Sequence, residues 1–189
     1  MSRVNSLLTN CLLMLVLGTG SAAAQSGFVS AYTDLNLDSD CLVLEADDFG
    51  VSWSCPGYKG FPLKVEEGDL RFSLSYGFDA DENSVGFQTL PPFNRLGEKL
   101  EWRLSNASGR WFPIATIVRY HTAHSETGED FGQVLVVSQI AEGNSCHIAY
   151  VDARANANAN VLAQQAADKA GDFDCLTDEV EIIGKFEAY

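Results

Sequence analysis

The sequence predicts an α+β domain, mainly antiparallel β-sheet in a curled sheet or sandwich, with one helix in the C-terminal region and two disulfides. Three observations carry this expectation. Segments such as FPLKVEEGDLRFSLSYGF alternate apolar and polar residues with a period of two, as strands with one buried face do. The stretch NANANVLAQQAADKAG is rich in Ala and has Val161 as its one β-branched residue, which suits a helix. Cys41, Cys55, Cys146 and Cys175 all follow an N-terminal segment with the features of an export signal, and oxidising compartments favour disulfides.

The export reading rests on residues 1–24. Arg3 supplies a positive charge, Leu12 to Leu17 form a short apolar run, and Ala22-Ala23-Ala24 gives the small-x-small pattern of a cleavage site. The run is far shorter than the roughly 20 apolar residues a membrane span needs, so a secretory signal is expected and no membrane span after its cleavage. Cys11 precedes the apolar core, the wrong side for a lipid-attachment cysteine. Residues 25–189, 165 in number, then make one domain in the periplasm or outside the cell.

Along that domain, CLVLEADDFGVSWSC reads as a hairpin: strand Cys41–Ala46, turn Asp47–Gly50, strand Val51–Cys55. Opposite residues in a hairpin share a constant index sum, which places Cys41 across from Cys55 and favours that pairing, leaving Cys146 for Cys175. Two strands joined near Glu67-Gly68-Asp69 follow. Regularity then stops from Asp79 to Lys99, where Pro91-Pro92 excludes a central strand and Phe87 and Phe93 are expected to pin a long connection to the body. LEWRL, FPIATIVRY, FGQVLVVSQIA and CHIAYVDA supply further strands. The helix should start at a cap from Asn156 or Asn158, bury a stripe of Val161, Leu162, Gln165 and Ala166, and stop at a left-handed Gly171. A last strand is expected around Val180 to Phe186, for about eight in all.

Charge narrows the partners. Loss of residues 1–24 removes one Arg and no acid, leaving 11 basic and 26 acidic side chains and a formal charge of −15. Such a chain repels phosphate backbones and anionic lipid surfaces, so no nucleic acid is expected, whereas a basic protein partner is admitted. High charge of one sign also serves solubility alone.

No pattern commits the chain to catalysis or to a cofactor. There is no G-x-S-x-G elbow, no Gly-rich phosphate loop and no C-x-x-C pair, and the cysteines are expected to be oxidised. The segment RYHTAHSETGED gathers His121 and His124 with Glu126, Glu129 and Asp130, donors that suit zinc or copper. It lacks the H-E-x-x-H spacing that presents two ligands and a base on one helix, and it lies where one strand ends and a polar connection with Gly128 and Gly132 begins. His147 beside Cys146 is expected to be a packed imidazole. Among the aromatic residues, those on alternating strands belong to the core, while Tyr58 and Phe61 in the Gly-bounded CPGYKGFP loop have the stronger claim to exposure.

Taken over YTDLNLDSDC, GVSWSCPGYKGFPLKVEEGDLRFSLSYG, QTLPPFNRLGEKLEWRL, QVLVVSQI, CHIAYVDA, DFDC and GKFEAY, the chain resembles a group of small exported proteobacterial proteins of unknown function. The resemblance spans nearly all of residues 25–189 and includes all four cysteines. It implies export and a disulfide-stapled fold, and it transfers no catalytic residue.

The leading expectation is therefore an exported, non-enzymatic protein that binds a partner or supports the envelope, with Tyr58, Phe61, Phe87 and Phe93 as candidate contacts. A basic enzyme such as a lysozyme is one such partner. The alternatives are a metal protein or hydrolase centred on His121, His124 and Glu126, and a small-ligand carrier with an apolar pocket between sheet and helix.

Overall fold

The structure is a computed structural model that describes residues 27–82 and 84–189; the expected export signal, residues 1–24, lies outside the described residues. Among the described residues ten strands form two sheets. The larger has the order β1 (Phe28–Asp34), β6 (Phe93–Ser105), β7 (Phe112–Ala123), β8 (Asp130–Gln139), β9 (His147–Asp152) and β10 (Glu181–Ile183). The smaller is a meander of β2 (Leu42–Ala46), β3 (Gly50–Pro56), β4 (Pro62–Gly68) and β5 (Arg71–Tyr76). All pairings are antiparallel except β9 with β10. A one-turn helix α1 (Leu37–Asp40) precedes β2, and helix α2 (Ala159–Ala167) follows β9.

Alternation along the central strands makes three layers. On β7 and β8, Val118, Tyr120, Val134 and Val136 pack against Leu63, Val65, Leu74 and Tyr76 of the small sheet. Ile117, Leu135 and Val137 point the other way, against α2. The large sheet is thus buried on both faces over β7 and β8, which explains why FGQVLVVSQIA is a nearly continuous apolar run. Helix α2 meets the sheet through Ala159, Ala163, Ala166 and Ala167, side chains small enough to bring its backbone close. Trp102 lies fully buried at the junction, its Nε1 donating to Thr33 Oγ1 at 2.9 Å, with Phe61 and Tyr76 edge-on to its ring.

Both expected disulfides form, Cys41–Cys55 and Cys146–Cys175. The first follows the hairpin register, in which Leu42 faces Ser54 and the preceding pair is 41 with 55.

Several boundaries differ from expectation. The irregular connection ends at Pro92, because β6 begins at Phe93 and runs through the segment read as loop. Its alternation is broken by a bulge: Leu96 pairs with Tyr120 and Leu100 with Val118, so residues 97–99 stand opposite Arg119 alone. β1 and α1 were not expected at all. Helix α2 is capped at Asn158 without a side-chain hydrogen bond; of the expected stripe Ala166 is buried and Leu162 packs partly against the core, whereas Val161, 49% accessible, and Gln165 are exposed, and the remaining buried positions are alanine. Gly171 sits in a 3-10 turn, Ala170–Asp172, beyond the end of α2, and is not a left-handed stop. Asn156 instead clamps the tail: its Nδ2 donates to Asp152 O and Lys185 O, and its Oδ1 accepts from Lys185 N.

Candidate functional site

Two surface features stand out, on different sheets. The first is the free edge of the small sheet. Its opposite edge is closed, because Asn94 N donates to Leu70 O, Asn94 Oδ1 accepts from Phe72 N, and Thr89 Oγ1 donates to Phe72 O at 2.6 Å. Among the described residues no strand pairs with the outer side of β2. Every β2 residue is exposed, and its apolar run Leu42-Val43-Leu44 is 69, 51 and 54% accessible. The run carries a bulge between Val43 and Glu45 that twists the edge. At the hairpin tip Asp47 Oδ1 accepts from Phe49 N and Gly50 N, which holds the turn and leaves Phe49 in solvent.

Charge is concentrated around this edge. Residues 27–58 contain Asp34, Asp38, Asp40, Glu45, Asp47 and Asp48 and no Lys or Arg. Of these, Asp34 pairs with Lys99, Glu45 lies on β2 itself, and the other four bracket the strand in sequence. The signal was readable from the charge pattern along the chain, but only the topology shows that the bracketed strand is an open edge.

The second feature is a cleft of about 590 Å³ on the opposite face of the large sheet. Helix α2 packs chiefly on β7, β8 and β9 and reaches β6 through Gln164 and Asp168, and the cleft opens beside it. Register sets the cations in this cleft: Arg95 on β6 is directly opposite His121 on β7, and Arg119 lines the same cleft two residues away. Arg95 pairs with Asp130, and Arg119 Nη1 donates to Gln133 Oε1 at 2.8 Å. Burial, then the Arg95 guanidinium, holds the His121 imidazole below its ordinary pKa. Deeper in, Glu101 accepts from Ser30 Oγ and from Gln164 Nε2 of α2 at 2.8 Å. The neighbouring Tyr32 phenol is raised by burial and then by the Glu101 charge.

The sequence-predicted residues are distributed differently. His124 leaves the strand, its backbone N–H donating to Glu129 O, and its ring stacks on Phe131 at 4.3 Å while His121 faces the cleft. Glu126 is exposed in the turn between them and β8. Among the described residues no group of three His, Cys, Asp or Glu side chains is placed to hold a metal ion. His147 is fully buried and lies 2.9 Å from the Tyr150 hydroxyl through Nδ1, as a packed imidazole.

Tyr58 and Phe61 are half-buried rather than exposed. Phe61 packs edge-on against Trp102 and Phe112, each 5.8 Å away, because Gly57 lets the loop lie on the indole; a Cβ there would sit 2.7 Å from the ring. Phe93 is half-buried with Arg71 over its ring at 4.9 Å, whereas Phe87 is 82% exposed and pins nothing. Val85 and Leu90, both fully buried, anchor that connection instead.

No described helix is long and apolar enough to cross a membrane. Comparison with protein-family models, curated proteins and solved structures yields no match.

Proposed function

We propose that this is an exported, non-enzymatic binding protein that engages a basic protein partner through the free edge of β2. The observation that carries the reading is the coincidence on one strand of an open backbone edge, the exposed run Leu42-Val43-Leu44 and five carboxylates, Glu45 on the strand and four flanking it. An extended segment added to such an edge gains main-chain hydrogen bonds, and alternate side chains reach the apolar row. The carboxylates attract Lys and Arg on that segment and repel a second copy of this acidic chain. Edge strands left open are usually blunted against association, and here the bulge and acids restrict pairing to cationic partners.

The experiment is capture of partners from the native envelope extract on disulfide-intact protein, compared with a Val43→Lys/Leu44→Lys variant. Both substitutions fall on exposed positions and leave the core untouched. A near-stoichiometric basic protein retained at low salt, released at high salt and lost from the variant supports the reading. Equal retention by the variant removes it. A purified lysozyme serves as a defined basic protein in the same format, read by inhibition at micromolar concentration and low salt.

A further inference from the structure

We propose that the cleft beside α2 binds a small organic anion, its acidic group seated against Arg119, His121 and Arg95 and its hydroxyl groups facing Glu101 and Gln164. The argument starts from a charge imbalance. The chain carries 12 Lys and Arg against 26 Asp and Glu, yet Arg95, Lys99 and Arg119 line this one cleft together with His121. Arg95 and His121 face each other directly across two strands, which disfavours a proton on His121. Asp130 engages Arg95, Asp34 engages Lys99, and Glu98 and Glu101 also line the cleft, but Arg119 has only the neutral Gln133 amide as a side-chain partner, so the positive character rests on Arg119. Burial and then the Arg95 charge lower the His121 pKa, and a bound anion would oppose that shift.

The cleft is built to present these groups. The bulge at residues 97–99 opens β6 where Arg119 stands, and bulges commonly re-aim side chains beside binding sites. Gly97 eases the approach there: a Cβ would lie 3.3 Å from both Arg119 Cβ and Arg119 O, close enough to crowd the arginine stem. On the other side of the cleft Gln164 of α2 is fixed by its bond to Glu101, and Ile117 and Leu135 give an apolar floor. The volume, about 590 Å³, falls in the range of small-molecule sites. The expected occupant has one acidic group, a few hydroxyls and a short apolar face, the chemistry of a sugar acid.

This site shares no residue with the β2 edge and lies on the other side of the large sheet, so the two readings fail separately. The test uses glucuronate, glucose and inorganic phosphate as probes on the disulfide-intact protein, followed by backbone and imidazole NMR. Expected are saturable glucuronate shifts confined to the cleft, affinity at least about tenfold above that for phosphate, none for glucose, and a rise in the His121 pKa on saturation. Arg119→Gln, which keeps the packed stem, should weaken glucuronate at least about tenfold without lowering stability, while exposed Arg110→Gln changes nothing. Absence of glucuronate binding, phosphate bound equally well, or indifference to Arg119→Gln overturns the proposal.

Discussion

Arg103 on β6 grips Asp168 at the end of α2 with two hydrogen bonds, Nε to Oδ1 at 2.5 Å and Nη2 to Oδ2 at 3.0 Å. Both side chains are largely shielded, 14 and 26% accessible, so this pair has geometry and burial that most surface ion pairs lack. Arg103 Nη1 also donates to Ser30 Oγ, linking β1 to the same fastening. A carboxylate at a helix C-terminus opposes the helix dipole, and the guanidinium offsets that cost.

Asp168→Ala should therefore destabilise the fold by about 1–3 kcal/mol, because it strands the Arg103 charge in a shielded place. Urea denaturation monitored by tryptophan fluorescence measures it. A loss below about 0.5 kcal/mol would mean that the pair behaves as an ordinary exposed one.

His147 makes stability depend on acid. Burial pushes its pKa down to about 3, well under the unfolded value near 6.5. Above pH 6.5 the imidazole is neutral in both states and costs nothing. As pH falls from 6.5 toward 3 the unfolded chain takes up a proton that the folded protein refuses, and stability declines by up to about 1.4 kcal/mol per pH unit. Comparing the slope of unfolding free energy with pH for the wild type and His147→Gln isolates this group from the carboxylates. The slope between pH 6 and 4 should be shallower in the variant; equal slopes would show that His147 titrates normally in the fold.

The two disulfides should differ modestly in worth. They close loops with sequence separations of 14 and 29 residues, which corresponds on chain-entropy grounds to about 3 and about 3.6 kcal/mol. The Cys146→Ser/Cys175→Ser pair of substitutions should cost somewhat more than Cys41→Ser/Cys55→Ser in chemical denaturation. Cys146 and Cys175 also belong to the core beneath α2, which adds to the loss. The reverse order would show that the hairpin bridge does more than close its own loop.

Local pattern made much of the fold legible. The index sum of the first hairpin placed Cys41 opposite Cys55, and the period of two in β4 and β5 set their shared turn. Where a side chain answers to a distant element, the sequence was silent. Gly97-Glu98-Lys99 interrupts the alternation of β6 and so disguised half of a long strand as loop. The buried stripe of α2 is alanine because the sheet lies close beneath it, a tertiary demand that hydrophobic periodicity does not register. Arg95, Arg119 and His121 lie up to 26 positions apart, and only the β6 to β7 register brings them to one cleft. Of the two histidines of RYHTAHSETGED, His121 lines the cleft, whereas His124 stacks on Phe131.

The most direct test of the β2 edge as a binding strand is backbone amide exchange of the full protein at low salt, with and without a short peptide of alternating Lys and Val residues. The account predicts micromolar binding that slows exchange in Leu42–Ala46, weakens steeply with added salt, and disappears in Val43→Lys/Leu44→Lys. Unchanged exchange across β2, or protection spread evenly over the acidic surface and indifferent to those substitutions, would contradict it.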